Sequence, residues 1–339
     1  MKNILITGGL GFLGSHLANN IAQNPNYSVS IIDADKYSFE KGKYNFNYYK
    51  NLRIKLLSKS NINIYKVDLL NINNTTKTIK KIKPDIIIHL ASISVAGIAD
   101  FYPTQAKENI FDSTFNLLQI IVNKFSVERF IYISSSMVYG HFLKDVNGKI
   151  IPPNEEAPCN PIDIYGSFKL CCENLIKTFH YSKNISYTII RPTAIYGQFD
   201  CNFRVTELFV TNALLNRPIL LDNGGLHLLD FTYVNDVVKG IVATIENPKA
   251  INQTFNLSFG KGRTIKELAE IIKKIIPSTE IKISNCKPFR PNRGALDISK
   301  AKHLLQYSPQ FPLEKGIKTY LEHVKEHISN LKYPKKYFW

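Results

Sequence analysis

The sequence predicts an α/β fold, a doubly wound parallel sheet with a smaller C-terminal lobe. The first observation is a glycine cluster that follows an apolar, β-prone run and opens a helical pattern near the N-terminus. The second is the alternation of further apolar runs with helical spacing between residues 2 and 191. Strands that alternate with helices in this way pair in parallel and carry helices on both faces of the sheet. A looser pattern follows residue 191, and it predicts the smaller lobe.

The glycine cluster has the spacing of a phosphate-binding turn. Gly8, Gly11 and Gly14 lie between the apolar residues 4–6 and the start of a helical pattern. Glycines there let the backbone turn sharply and approach a pyrophosphate, which would rest on the free N–H groups of the helix N-terminus. A second strand ends on Asp33, about twenty residues beyond the turn, as a dinucleotide site requires. We therefore expect a nucleotide-binding domain of the Rossmann type.

The remaining elements follow from the same patterns. Strands are predicted at residues 29–32, 62–67, 85–90, 129–134 and 186–191, and helices at 48–57, 105–125 and 164–179. In the lobe, strands are predicted at residues 217–221, 229–234 and 253–258, and helices at 202–215, 235–246, 264–276, 299–305 and 313–328. Thr264 and Glu267 have the spacing of a capping box for the helix at 264–276.

These elements suggest two domains and one insertion. We expect a nucleotide-binding domain at residues 1–192 and a substrate-binding lobe at 193–339, with residues 229–256 packing back on the first domain. Residues 36–60 are rich in Lys, Tyr and Asn, and we expect this insertion to be a solvated surface element.

Composition and charge exclude several classes of protein. The chain has 339 residues, of which 44% are hydrophobic, so it can bury a large core and should not be disordered. The net charge is +16, but the lysines are spread along the chain and no nucleic-acid-binding module is present, so we expect no nucleic-acid partner. The five cysteines lack CxxC spacing, and no Cys/His group has metal-ligand spacing, so we expect a reducing compartment and no metal. With no signal peptide and no apolar run of membrane length, we expect a cytoplasmic protein without a membrane span.

Two motifs carry the chemistry. Tyr165 and Lys169 are four residues apart, on one face of a predicted helix. A lysine ammonium beside a phenol lowers the pKa of the phenol, so that the tyrosine can act as a general base near neutral pH. The run from Ser134 to Gly140 follows a predicted strand, and strand ends of an open α/β sheet face the ligand crevice. The two motifs together predict a catalytic tyrosine at that crevice.

Together these motifs resemble the extended short-chain dehydrogenase/reductase family, and within it the NAD-dependent nucleotide-sugar epimerases and dehydratases, such as UDP-glucose and UDP-glucuronate 4-epimerases. The resemblance covers nearly the whole chain. In chain order, the motifs that carry it are the Gly8 loop, Val67-Asp68-Leu69, His89-Leu-Ala-Ser92, Asn109, Ser134 to Gly140, Tyr165 with Lys169, Arg191-Pro-Thr-Ala-Ile-Tyr-Gly197, Asp230-Phe-Thr-Tyr-Val-Asn-Asp236, Arg290-Pro, and Leu296-Asp-Ile-Ser.

The resemblance implies NAD as the cofactor. The carboxylate of Asp33 would accept hydrogen bonds from the adenosine ribose hydroxyls, and it would repel a 2′-phosphate, which favours NAD over NADP. The residues implied at the diphosphate are Gly8, Gly11, Phe12, Leu13 and Gly14. The other implied contacts are Asp68 and Leu69 at the adenine, Leu90, Ala91 and Ser92 along the middle of the cofactor, Asn109, and Tyr165 and Lys169 at the nicotinamide end.

The resemblance also implies a catalytic group and narrows the reaction. Ser135 would hydrogen-bond the sugar hydroxyl that is oxidised, and Tyr165 would take its proton beside Lys169. Dehydratases of the family usually carry Asp-Glu directly after the catalytic Thr, whereas Ser136 and Met137 stand here and cannot act as acid and base. UDP-glucuronate decarboxylases tend to place a Glu there too, and it is missing. Oxidation and re-reduction at C4 remain, so the resemblance predicts C4 epimerisation. The alternatives are net oxidation or reduction at C4, 4,6-dehydration, and a non-catalytic NAD-binding protein.

The substrate contacts differ from those of many relatives. Those relatives have an arginine where Leu229 stands, reaching the substrate diphosphate. Arg204 and Arg290 are the remaining candidates for that contact, and Ser136 is a further candidate for the substrate. The sugar and its base stay open. Because relatives commonly dimerise through two helices per subunit, the segments 105–125 and 164–180 predict a homodimer.

Overall fold

The molecule is built on a parallel sheet. The computed structural model describes residues 1–36, 45–284 and 291–332. Within these residues the strands are β1 (Lys2–Thr7), β2 (Tyr27–Asp33), β3 (Ile62–Lys66), β4 (Ile86–His89), β5 (Arg129–Ile133), β6 (Tyr187–Pro192), β7 (Ile195–Tyr196), β8 (Ile219–Asp222), β9 (Leu228–Leu229), β10 (Thr232–Tyr233), β11 (Gln253–Leu257), β12 (Arg263–Thr264) and β13 (Ile281–Ser284). Seven of them pair in parallel in the order β11-β6-β5-β4-β1-β2-β3. The predicted fold class is confirmed.

Helices cover both faces of this sheet. In the described ranges they are α1 (Phe12–Ile21), α2 (Phe46–Leu57), α3 (Ile72–Ile82), α4 (Ala96–Phe101), α5 (Pro103–Ala106), α6 (Ser113–Lys124), α7 (Ile164–Lys183), α8 (Val205–Leu214), α9 (Val234–Val242), α10 (Ile265–Ile275), α11 (Ser299–Leu305) and α12 (Leu313–His327). On β1, Ile4 and Ile6 join the apolar cluster that contains residues of α1 and α9, whereas Leu5 joins the cluster of α3, α6 and α7. Because successive side chains of a strand point to opposite faces, the two clusters lie on opposite sides of the sheet.

The central strands are buried throughout and mostly apolar, as a sheet that is covered on both faces requires. Every residue of β4, β5 and β6 is buried. The edge strand β3 instead has no fully buried residue, which is expected of a strand that pairs on one side only.

The smaller lobe uses short pairs of strands. β7 pairs with β10 and β8 with β13 in parallel, and β9 pairs with β12 in antiparallel. Its apolar residues belong to the same cluster as the α1 face of the sheet, and β11 pairs with β6 at the edge of the main sheet. The division of the chain at residue 192 stays a prediction.

Three expectations need correction. Residues 229–234 do not form one strand, because Asp230 turns the chain between β9 and β10. Its carboxylate accepts hydrogen bonds from the backbone of Gly260 and Leu296, both at 3.1 Å. The helix predicted at 105–125 contains a π-helical segment, Lys107–Asp112.

The third correction concerns the insertion at residues 36–60. Its described part contains α2, in which Tyr49, Arg53 and Leu57 are buried, so it is not a solvated surface element. Arg53 donates to the carbonyl oxygens of Leu10 and Phe199 at 3.4 and 2.6 Å, which ties the insertion to the glycine turn.

The predicted capping box is confirmed. Thr264 and Glu267 form the capping box of α10, with the Glu267 amide donating to Thr264 Oγ1 at 3.0 Å. No described helix combines the length and the apolar character needed to cross a membrane.

Candidate active site

A deep cleft lies at the carboxyl ends of the parallel strands, where ligands bind in open α/β sheets. Its volume is about 1480 Å³, larger than the ~300–1,000 Å³ of a usual small-molecule site. One wall comes from the turns that follow β1 to β6, and the other from the lobe. All predicted site residues in the described part of the chain line it: Gly8, Gly11, Phe12, Leu13, Gly14, Asp33, Asp68, Leu69, Leu90, Ala91, Ser92, Asn109, Ser135, Ser136, Tyr165, Lys169 and Arg204. Arg290 lies outside the described residues.

The glycine turn leaves room for a diphosphate. Gly8 has φ +72°, and a Cβ there would come within 2.7 Å of the backbone nitrogen of Ala91. A Cβ on Gly14 would come within 2.4 Å of the Gly8 carbonyl oxygen. Gly11 caps α1 without a side-chain hydrogen bond, and the first turn of α1 has no acidic residue. The N–H groups of that turn are therefore left for an anion.

Asp33 ends β2 on the same wall. Its carboxylate accepts hydrogen bonds from the backbone amides of Leu10 at 3.0 Å and Asp35 at 2.9 Å. Burial raises the pKa of Asp33, and these hydrogen bonds oppose the rise. Asp68, farther along, pairs with Lys36 at 2.6 Å. An oriented carboxylate beside an open helix N-terminus fits the ribose and diphosphate of a dinucleotide, so the residues present fit NAD.

The proposed catalytic side chains meet in the middle of the cleft. Asp163 caps α7 by accepting from the Gly166 amide at 2.7 Å, and the first two turns of this helix hold Tyr165 and Lys169. Ser135 follows β5 and accepts a hydrogen bond from the Met137 amide at 3.2 Å. The Ser135 hydroxyl also acts on Tyr165, where it opposes the rise in the pKa of the phenol.

Lys169 is held at a fixed place in the wall of the cleft. It is 2% exposed, and its Nζ donates to Ser92 Oγ at 3.1 Å and to the Ile133 carbonyl at 2.8 Å. Burial lowers the pKa of Lys169 to about 8. The Nζ lies 5.8 Å from the centre of the Tyr165 ring.

The expected effect of Lys169 on the pKa of Tyr165 is wrong for this arrangement. Burial raises the pKa of the Tyr165 phenol above its usual value. The interaction with Ser135 and the charges of Arg204 and Arg293 act against this rise. Lys169 donates its hydrogen bonds to Ser92 and Ile133 and not to the phenol. The groups that favour the phenolate are therefore mainly Ser135 and the two arginines.

The cofactor and substrate candidates differ in how they are held. Asn109 lies in the π-helical segment and donates to the Gln105 carbonyl at 2.8 Å. Arg204 bridges the two walls, since its guanidinium donates to the Ile195 carbonyl at 3.0 Å and the Ser94 carbonyl at 2.8 Å. Leu229 lines the cleft, as the sequence indicates, and Arg217 and His227 line it on the same wall.

Sequence reasoning missed Arg293. This residue lines the cleft and contacts the hydroxyls of Ser136 and Thr193. A signal is present in the sequence, because Arg293 follows Arg290 by three residues, but the local pattern does not distinguish the two arginines. The partners of Arg293 are 157 and 100 residues away in the chain, so spacing alone could not bring them together.

Comparison with known proteins agrees with this geometry. Residues 4–258 match the NAD dependent epimerase/dehydratase family. A UDP-glucose epimerase of Bacillus subtilis, itself uncharacterised, is 28% identical over 324 residues, which are 93% of this chain and 95% of that protein. A dTDP-glucose 4,6-dehydratase of Haemophilus influenzae is 25% identical over 344 residues, with 94% of this chain and 96% of that protein covered.

Solved structures give the same result. The UDP-glucuronic acid 4-epimerase of Bacillus cereus, in complex with UDP-glucuronic acid and NAD, has a TM-score of 0.85 at 28% identity, covering 96% of this chain and 99% of that one. The UDP-glucose 4-epimerase of Thermotoga maritima, with UDP-glucose, also has a TM-score of 0.85, at 25% identity and with the same coverage. Because the family match extends over most of the chain and takes in the glycine turn, Ser135, Tyr165 and Lys169, the chain belongs to the NAD-dependent epimerase/dehydratase family.

Proposed function

We propose that the protein is an NAD-dependent nucleotide-sugar epimerase that inverts C4 through a transient 4-keto sugar. One observation carries this proposal: Ser135, Tyr165 and Lys169 share the cleft with Ser136 and Met137, which offer no acid or base for an elimination. The cleft is also large enough for a dinucleotide and a second ligand. The UDP-sugar epimerases of similar sequence and structure support a nucleotide-diphosphate sugar as that second ligand.

The chain's own residues bind the sugar and move one proton. Ser135 and Tyr165 hydrogen-bond the C4 hydroxyl, and the Tyr165 oxygen accepts its proton as C4 becomes a ketone. NAD held by the glycine turn and Asp33 supplies the reversible two-electron oxidant that this step requires. The ketone then turns in the cleft, and Tyr165 returns the proton to the oxygen of the inverted alcohol.

Arg204 and Arg293 set the charge around Tyr165, and Lys169 has a different role. The Lys169 ammonium is fixed by Ser92 and Ile133, so it would contact the nicotinamide end of bound NAD with little loss of conformational entropy. The charges of Arg204 and Arg293 favour the phenolate. The roles of the other cofactor contacts, from Gly8 to Asn109, are part of this proposal.

The two residues after the catalytic serine distinguish the proposed epimerase from a dehydratase. Elimination of water across C5 and C6 needs a base for one proton and an acid for the leaving hydroxyl. A hydroxyl at Ser136 and a thioether at Met137 supply neither. The dehydratase alternative keeps the support of relatives such as the Haemophilus influenzae enzyme, so the test must distinguish the two reactions.

Proton NMR of the holoenzyme in D2O, with UDP-glucose, UDP-glucuronate and other nucleotide sugars, makes this distinction. We expect a C4 epimer with no deuterium on the sugar carbons, because the hydrogen removed from C4 returns to it. A 4-keto product that has lost its C6 hydroxyl and carries deuterium would identify a dehydratase. A 4-keto product that accumulates with NADH would identify a dehydrogenase.

Tyr165→Phe tests the assigned base. We expect kcat to fall by about 10²–10⁴-fold, because general acid–base catalysis is lost while the ring still packs. NAD content and thermal stability of the variant serve as controls for folding. Unchanged activity would contradict the mechanism and favour a non-catalytic NAD-binding protein.

We also propose a homodimer formed through the segments 105–125 and 164–180, and a cytoplasmic location. Light scattering coupled to gel filtration measures the first. A mass of one subunit would contradict the dimer.

A further inference from the structure

Arg293 is a buried arginine on the wall of the cleft. It is 8% exposed. It donates to Thr193 Oγ1 at 3.0 Å, and it contacts the Ser136 hydroxyl and the Met137 sulfur. Its Nε is buried and has no hydrogen-bond partner among the described residues. Part of the donor capacity of the guanidinium is therefore unused.

The positive charge of Arg293 has no ion-pair partner among the residues that the structure describes. Its hydrogen-bond partners in the described ranges are neutral, and the carboxylates of Asp163 and Asp230 act on it without forming an ion pair. A buried charge is costly unless it is paired. A guanidinium kept in this state, on the wall of a ligand cleft, indicates that the partner arrives with the ligand.

The position of Arg293 indicates which part of the ligand it meets. Ser136, which it contacts, is adjacent to Ser135, and the Arg293 charge acts on the Tyr165 phenol. It therefore lies beside the carbon that reacts. In a hexose that reacts at C4, the neighbouring C5 carries C6, whereas the diphosphate is attached to C1 on the far side of the ring.

We propose that Arg293, together with the hydroxyls of Ser136 and Thr193, binds a carboxylate at C6 of the sugar, so that the preferred substrates are nucleotide-diphosphate uronates. The inference rests on the proposed function, because it takes C4 as the reacting carbon. The planar guanidinium and two hydroxyls match the two oxygens of a carboxylate. Met137 and Phe142, whose ring centre is 5.6 Å from the guanidinium carbon, shield the site from water.

A guanidinium could equally bind the diphosphate of the substrate, so the experiment must distinguish binding of the C6 carboxylate from binding of the diphosphate. The holoenzyme is assayed with UDP-glucuronate and UDP-glucose, and binding of both sugars and of UDP is measured by calorimetry. The variants are Arg293→Met, which removes the charge, and Arg293→Lys, which keeps it. Arg263→Met is the matched control, because Arg263 pairs with Glu267 and Glu314 outside the cleft.

We expect the wild type to have the higher kcat/KM on UDP-glucuronate. Arg293→Met should lower the kcat/KM for UDP-glucuronate by roughly tenfold to a hundredfold more than the kcat/KM for UDP-glucose, because only the uronate loses a charge-assisted hydrogen bond. Loss of the Arg293 charge beside Tyr165 should lower kcat for both sugars alike. Arg293→Lys should recover part of the loss, because a point charge replaces the planar fork. Arg263→Met should leave both sugars unchanged.

Each other outcome has a definite meaning. A wild-type enzyme that prefers UDP-glucose overturns the inference, whether or not the variants fold, and leaves the epimerase proposal intact. Equal loss of affinity for UDP, UDP-glucose and UDP-glucuronate in Arg293→Met assigns the arginine to the diphosphate and also overturns it. If neither sugar is epimerised, the proposed function fails, and Arg293-dependent binding of UDP-glucuronate over UDP-glucose would still support the carboxylate site.

Discussion

Two buried arginines in this protein have opposite surroundings. Arg191, on β6, donates through Nε and Nη2 to the carboxylate of Glu173 on α7 at 3.0 and 2.6 Å. Its Nη1 donates to Tyr139 Oη at 2.9 Å and to the Glu155 carbonyl at 3.1 Å. These contacts raise the pKa of Arg191, whereas burial lowers the pKa of Arg293 to about 10.

The difference separates a structural charge from a charge kept for a ligand. Arg191 is a partner within the protein, and its ion pair ties the sheet to α7, the helix that carries Tyr165 and Lys169. Arg293 is bonded to neutral groups on the cleft wall. A buried cation with a partner depends on that partner, since its removal leaves an uncompensated charge, whereas a buried cation without one lowers stability until a ligand supplies the partner.

Removal of the carboxylate that pairs with Arg191 should have the largest effect. We expect Glu173→Gln to lower the free energy of unfolding by about 3–5 kcal/mol, because it leaves Arg191 buried and uncompensated. Urea unfolding with saturating NAD measures this. Glu267→Gln, which removes a half-exposed partner of Arg263, is the control and should cost less than about 1 kcal/mol. Equal losses in the two variants would contradict the assignment of a structural charge.

Lys169 extends the comparison to a third buried cation, which likewise forms no ion pair within the described part of the chain. We expect Lys169→Met to abolish activity but to raise the free energy of unfolding at pH 7 by about 2 kcal/mol. The fall of the Lys169 pKa from 10.5 to about 8 shows that the buried ammonium destabilises the wild type by roughly 3 kcal/mol. The loss of two hydrogen bonds in the variant offsets part of this gain. Between pH 8 and 10.5 the unfolded wild-type chain binds more protons than the folded one, so wild-type stability rises with pH. The advantage of the variant should therefore be complete below pH 8 and absent above 10.5. Unfolding curves at several pH values test this, and an advantage that does not change with pH would refute it.

Arg293→Met should have the smallest effect of the three variants on stability, and like Lys169→Met it should raise the free energy of unfolding. We expect a gain of about 1 kcal/mol without substrate, because the unpaired charge is removed at the expense of its bonds to Ser136 and Thr193. With saturating UDP-glucuronate the wild type should be more stable than Arg293→Met, since the carboxylate of the ligand pairs with the wild-type arginine. Thermal unfolding with and without the sugar measures both. A loss of stability in the absence of ligand would place Arg293 with Arg191, as a structural residue.

The sequence predicts the parts of this molecule that depend on local patterns. Strand–helix alternation and the glycine spacing give the sheet and its cofactor edge, because period and turn chemistry are encoded within a few residues. The burial of α2 is different, since the partners of Arg53 include Phe199, 146 residues away. The pKa of Tyr165 also depends on burial and on arginines from distant segments. The hydrogen bonds of Arg293 to Ser136 and Thr193 likewise join segments that are far apart in the chain. Local pattern therefore predicts where the cleft is, and tertiary contacts decide its charge.

The place of β11 at the edge of the main sheet has a consequence for synthesis and folding. The strand pairs with β6, although residues 193–252 separate the two, so a ribosome must deliver a large part of the lobe before the sheet can be completed. Until then β6, whose residues are all buried in the finished protein, presents an open apolar edge of the kind that pairs with other chains. The interval between the synthesis of β6 and that of β11 is thus the period in which the nascent protein is most exposed to aggregation, and chains truncated before residue 253 should depend most on chaperones.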